Sequence, residues 1–262
     1  MPFLSCDTVN IYYEIHGQGM PLLFIHGLGS STVDWNAQTN YFSKNYKVIV
    51  FDLRGHGQSG KVPGTYSISL FADDVACLIK KLNIQRANVV GISLGGMIGM
   101  HLAVYYSDLV KSLTVVNSPS EFPQKTPKAR FQILLRFFII KVMGMAWMGK
   151  VLARRLFPKP DQEKTRKEMA ERWAQNDPKA YWKSTKALIN WSITGQLDKI
   201  SCPTLIVGAE FDYFPVSDKE LLASRIKNAT LSIIKDSRHG TPLDQTEIFN
   251  KTVEGFLKRI HE

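Results

Sequence analysis

The sequence predicts an α/β fold, a doubly wound and mostly parallel sheet with one helical insertion. Three observations predict it. Short apolar runs are continuous rather than alternating, helical patterns separate them, and one long stretch carries no strand pattern. Strands buried on both faces read as unbroken apolar runs, and strand–helix alternation marks parallel sheets covered by helices.

Taken in order, residues 9–15 alternate imperfectly and end in His16-Gly17-Gln18-Gly19, the pattern of an early antiparallel strand. Continuous runs follow at 22–25, 48–51, 88–92, 113–116, 204–207 and 231–234. Helical periodicity covers 68–82, where Leu70, Phe71, Val75, Leu78, Ile79 and Leu82 share a face, and recurs at 94–106, 217–226 and 247–260. From 122 to 195 only helical pattern appears, punctuated by Pro123, Pro127, Pro158, Pro160 and Pro178. The chain thus divides into a core of residues 1–121 and 196–262 and a helical insertion, 122–195.

A chain of 262 residues, 44% hydrophobic and 21% charged, can bury a substantial core and is neither disordered nor collagen-like. Its cysteines, Cys6, Cys77 and Cys202, are odd in number and far apart, which indicates neither a disulfide framework nor a cysteine zinc site. No basic stretch followed by an apolar run opens the sequence, so no secretory signal is expected. The greasiest segment, 131–148, carries Arg136 and Lys141. Each costs roughly 2.5–3.5 kcal/mol at a bilayer centre. The expectation is a cytoplasmic protein without a membrane span. The net charge of +10 is concentrated: the insertion holds 16 Lys/Arg against 5 Asp/Glu, the remainder 17 against 18. No zinc-finger, RNP or helix-turn-helix pattern accompanies this charge, so no nucleic-acid partner is expected. A solvated helical face is the first reading, and peripheral contact with an anionic membrane the second.

The chemistry-bearing residues begin where a strand runs into Gly91-Ile92-Ser93-Leu94-Gly95 and an apolar helix follows at once. A serine on so tight a strand-to-helix turn has an exposed hydroxyl, and its neighbours two residues away must lack side chains for the turn to close. A serine hydroxyl needs a base. His16 and His26 border strands, His101 falls within a helix, and His261 is next to the last residue. His239 lies between the last expected strand and the last helix. Loops at the carboxyl ends of parallel strands converge on one rim, so His239 can meet Ser93. His56, in Arg54-Gly55-His56-Gly57, is its rival. The acid that orients the imidazole is read as Asp212, which follows the 204–207 strand; Glu210, Asp218 and Asp236 are the alternatives. The chain order Ser93, Asp212, His239 suits this chemistry. In His26-Gly27-Leu28-Gly29 the glycines let the N–H of Leu28 face the nucleophile, and the N–H of Leu94 supplies a second oxyanion donor.

On these residues the chain resembles the α/β-hydrolase superfamily over nearly its whole length. The matching pieces are the elbow around Ser93, His26-Gly27, Asp52-Leu53-Arg54-Gly55-His56-Gly57-Gln58-Ser59, and the Asp212 and His239 loops. The resemblance implies that the Asp52–Ser59 stretch is a structural turn, with Arg54, His56 and Ser59 as scaffold, and that 122–195 is a helical cap. Gly96-Met97-Ile98-Gly99-Met100 and the loop at 210–216 are similar to small carboxylesterases and enol-lactonases. The implied function is a serine hydrolase that cleaves a carboxylic ester or lactone through an acyl-enzyme, without metal or organic cofactor. Met97, Trp147 and Phe214 are expected to touch substrate. The Met and aromatic content of the cap fits an apolar acyl or aryl small molecule. The same triad would serve carbon–carbon bond hydrolysis or cofactor-free perhydrolysis, and a ligand-binding signalling receptor is the non-catalytic alternative.

Overall fold

The computed structural model describes residues 2–122 and 127–260; Pro123 and His261 lie outside them. Strand β1 (Phe3–Cys6) pairs antiparallel with β2 (Val9–His16). Then come β3 (Met20–Ile25), α1 (Asn36–Phe42), β4 (Tyr46–Phe51), α2 (Ile68–Lys81), β5 (Ala87–Ile92), α3 (Leu94–Tyr105) and β6 (Val110–Val116). Four helices follow: α4 (Pro127–Val142), α5 (Gly144–Leu156), α6 (Glu163–Ala174) and α7 (Pro178–Leu188). The sheet resumes with β7 (Thr204–Ala209), α8 (Val216–Ser224) and β8 (Ala229–Ile234), and the chain continues through α9 (Thr241–Asp244) and α10 (Thr246–Arg259).

One eight-stranded sheet runs β1-β2-β4-β3-β5-β6-β7-β8. Strands β3 to β8 are mutually parallel; β1 and β2 form an antiparallel edge. The α/β, mostly parallel architecture is therefore present. Unbroken apolar runs have a simple cause, since alternate side chains of one strand enter two different layers. From β3, Leu23 and Ile25 pack with Phe71, Val75 and Ile98, while Leu22 and Phe24 pack with Trp35, Phe42 and Phe249.

The order β4-β3-β5 positions the site. β3 leads to β4 on one side of it, whereas β5 lies on the other, so the connections leaving β3 and β5 diverge and open a crevice at their carboxyl ends. The helices from 127 to 188 lie between β6 and β7, with their own apolar cluster of Met145, Met148, Leu152, Phe157 and Trp173. The insertion is rooted by two backbone hydrogen bonds, Phe122 N–H to Trp191 O (3.1 Å) and Ile193 N–H to Ser120 O (2.9 Å).

The cysteine reading requires correction. Cys6, ending β1, forms a disulfide with Cys77 on α2, with Cα atoms 5.9 Å apart, and Cys202 is free and buried. The partners are 71 residues apart in sequence, so no local spacing announces the bond. It follows from the β1–β2 hairpin folding over α2.

Candidate active site

Ser93 has φ 55° and ψ −115°, a left-handed backbone that places it alone at the corner between β5 and α3. The flanking glycines are steric necessities. A Cβ on Gly91 would lie 2.2 Å from Gly95 O, and one on Gly95 would lie 2.1 Å from Ile25 O. These contacts press the start of α3 against the end of β3 and the His26-Gly27-Leu28 loop. A Cβ on Gly27 would stand 3.6 Å from that of Ser93. The N–H groups of Gly96 and Met97 turn back to Ser93 O at 3.0 and 3.1 Å, so α3 starts immediately after the serine.

His26 clamps the Leu28 loop. Its Nε2 accepts the Leu53 N–H at 3.0 Å, so Nδ1 carries the proton and donates to Gly27 O at 2.8 Å. The ring is fully buried, and burial pushes its pKa down to about 4. The rival base His56 serves the same scaffold. It is buried beside His26, Nδ1–H donates to Arg54 O at 3.0 Å, and burial followed by the neighbouring His26 lowers its pKa to about 3. Around it, Asp52 accepts the N–H groups of Thr32 and Gln58, both at 2.7 Å, and Arg54 forks onto Asp74 with two contacts of 2.5 Å. His16 contacts Glu14 at 2.9 Å, and the His101 ring lies tilted against Tyr105.

His239 behaves differently. Its Nδ1 lies 2.6 Å from Asp212 Oδ1, and the Asp212 carboxylate is fully buried. Burial alone would push that carboxyl up, but His239 and then Lys219 outweigh it and hold it below its ordinary value. Lys219, a buried lysine of α8, places Nζ 2.7 Å from Asp212 Oδ2 and donates to Phe214 O at 2.6 Å. Gly208 makes the room, since a Cβ there would lie 2.4 Å from the lysine Cδ. The Tyr213 ring stacks on His239 with centroids 4.4 Å apart, and the Arg155 guanidinium lies 4.2 Å from the Tyr213 centroid. The rival acids are occupied elsewhere or exposed. Glu210 accepts the Asp236 N–H at 2.9 Å, Asp236 pairs with Lys159 at 2.6 Å, and Asp218 is exposed.

Asn117, buried at the end of β6 with φ 47°, ties these loops together. Its amide donates to His239 O (3.0 Å) and Thr241 Oγ1 (2.8 Å), and its Oδ1 accepts the Ala209 N–H (2.8 Å). Ser118 Oγ donates to Ser93 O at 2.8 Å. Neither Asn117 nor Lys219 was among the sequence candidates. An Asn at a strand end, able to take a left-handed turn, was the available signal for the first. Nothing local marked the second.

Leu28, Ser93, Leu94, Met97, Phe214 and His239 line one cavity of about 600 Å³, with Asp212 behind the imidazole. The insertion closes it with side chains including Ile139, Met148, Leu152 and Trp173. Trp147 is a correction. It does not line the cavity and is 46% exposed. On α5 the buried positions are Met145, Met148, Gly149, Leu152, Ala153 and Leu156, and residue 147 falls off that face.

The sequence profile of the alpha/beta hydrolase fold matches residues 20–246. The 3-oxoadipate enol-lactonase 2 of Acinetobacter baylyi is 29% identical over 98% of this chain and 97% of its own. The (E)-2-((N-methylformamido)methylene)succinate hydrolase of the same organism is 31% identical over 97% of this chain and 96% of its own. The crystal structure of the enol-lactonase from Burkholderia xenovorans LB400 superposes with a TM-score of 0.91 at 24% identity, covering 98% of this chain and all of that one, a likeness of fold.

Proposed function

The chain belongs to the α/β-hydrolase family, and from that premise we propose that it hydrolyses a small carboxylic ester or lactone through a serine-bound acyl intermediate. The observation that carries this reading is the buried Asp212–His239 contact of 2.6 Å facing the same cavity as Ser93. His239 Nε2 takes the Ser93 proton as the hydroxyl oxygen attacks the carbonyl carbon, and Asp212 holds Nδ1–H and stabilises the imidazolium. The N–H groups of Leu28 and Leu94 receive the tetrahedral oxyanion. The imidazolium then protonates the leaving oxygen, leaving an acyl-Ser93. A water deprotonated by His239 attacks that ester and regenerates the serine.

A lactone fits for two reasons: the cavity wall is mostly apolar, and one relative is named for an enol-lactone. In this reading 122–195 is the cap that shapes the pocket, with Met97 and Phe214 against the acyl part. A cytoplasmic site of action belongs to the reading, and the Cys6–Cys77 bridge is the observation that opposes it, since such bonds favour oxidising compartments.

The test is turnover of p-nitrophenyl esters and small lactones by wild type and Ser93→Ala, with a fluorophosphonate label mapped by mass. The expected result is labelling on Ser93 and a fall in kcat of about 10⁴-fold or more in the variant. Ser93-independent turnover, or tight ligand binding with no turnover, would overturn it. The second of these is the behaviour of a receptor.

A further inference from the structure

The first two helices of the insertion carry an apolar face with nothing packed on it among the described residues. On α4, Phe131 (63% exposed), Leu134 (66%), Leu135, Phe138 (57%) and Val142 (63%) recur every three or four residues and form one solvent-facing stripe. Met143 continues it across the joint, and Trp147 and Val151 carry it onto α5. The reverse of α4 is apolar as well. Ile140 is buried, Ile139 lines the cavity, and the Phe137 ring packs tilted against Trp182 with centroids 4.1 Å apart. So α4 turns apolar residues both toward the cavity and toward solvent, and only the first set is covered among the described residues.

The surroundings of the stripe are cationic. Residues 127–156 contain seven Lys/Arg and no Asp or Glu, although two of the seven, Arg136 and Arg155, line the cavity. Lys141, Lys150 and Arg154 are exposed on the same two helices. We infer that this face docks on an anionic phospholipid surface, with the stripe at the acyl boundary and the cations among the headgroups. Charge decides between this occupant and a second copy of the chain. A twofold contact would bring two cation-rimmed faces of like charge together, whereas anionic headgroups neutralise them. An apolar helix face with Phe, Leu and Trp flanked by Lys and Arg is also the composition of interfacial helices. No described helix is long and apolar enough to cross a membrane, so the contact is a surface one. Leu135 and Val151 belong both to the stripe and to the cavity wall, so the docked face adjoins the cavity. Docking is independent of the chemistry assigned to Ser93.

The experiment is flotation of the intact protein with vesicles of phosphatidylcholine alone and of phosphatidylcholine mixed with phosphatidylglycerol. Binding is expected to the mixed vesicles, weakening as salt is raised. Leu134→Asp and Phe138→Asp lie off the cavity wall and should keep the wild-type thermal melt while lowering partitioning by about ten-fold or more each. Trp147 emission should shift to the blue on binding, and the shift should vanish in Trp147→Phe. Absence of binding at low salt by the folded protein would overturn the inference. So would equal binding to neutral vesicles, unchanged binding by both Asp variants, or a dimer that those variants dissociate without any vesicle binding.

Discussion

Lys219 places a positive charge 2.7 Å from the carboxylate that orients His239, in a buried setting where charges act strongly. Replacing it with methionine removes a cation that opposes protonation of the Asp212–His239 pair. The acid limb of kcat/KM against pH should therefore move upward by about one pH unit, with a lower plateau. An unmoved limb would reduce the lysine to a packing role. His26 carries a separate prediction. Its folded pKa, about 4, lies below the ordinary value of 6.5, so the folded protein binds fewer protons than the unfolded chain between those limits. Stability from this group is complete above the unfolded value and is lost as pH falls toward 4. Between pH 7 and pH 4, wild type should lose about 3 kcal/mol more than His26→Gln in urea denaturation. Equal losses would contradict the buried neutral ring. That Ser93 and His239 face one cavity, with Asp212 against the imidazole, could be anticipated because each sits in a loop whose place in the strand–helix order fixes its rim. Lys219 and Asn117 could not be, because their partners lie on other strands' loops and no local pattern encodes them.

At the element scale, the elbow works only if α3 can touch β3. Gly95→Ala would force a Cβ toward Ile25 O, now 2.1 Å from that position, and the helix must shift away. Overpacking of this kind costs about 1–3 kcal/mol. The expected outcome is a lower Tm together with a larger fall in turnover than in substrate affinity, because on the proposed mechanism the Leu28 and Leu94 N–H groups would separate. A variant with wild-type kcat would show that the two loops need no such contact. The long buried strands and the helices between them were readable from continuous apolar runs and 3.6-residue spacing. β1 and α1 were not, being short, and β1 is a half-exposed edge strand. In the insertion the helical period was plain but the orientation was not. On α4 apolar residues occupy every side, so periodicity says nothing about which face meets the cavity, and on α5 Trp147 turned outward.

For the whole molecule, the Cys6–Cys77 bond ties the antiparallel edge to α2 across 71 residues. A cross-link of that span removes about 4 kcal/mol of loop entropy from the unfolded chain. Denatured without reductant, the protein should present one reactive thiol, from Cys202, and three after reduction. Three thiols in both cases would leave the hairpin held by packing alone. Composition could not reveal the bond, because an odd count of scattered cysteines looks the same whether or not two of them meet. The roots of the insertion have a different consequence. The chain enters the insertion at Phe122 and leaves it at Trp191, and two backbone hydrogen bonds, Phe122 to Trp191 and Ile193 to Ser120, hold these ends together. A segment whose ends already touch imposes no distance on its host. Descendants could lengthen, shorten or exchange it wholesale and so acquire new diets while the engine beneath kept its alignment.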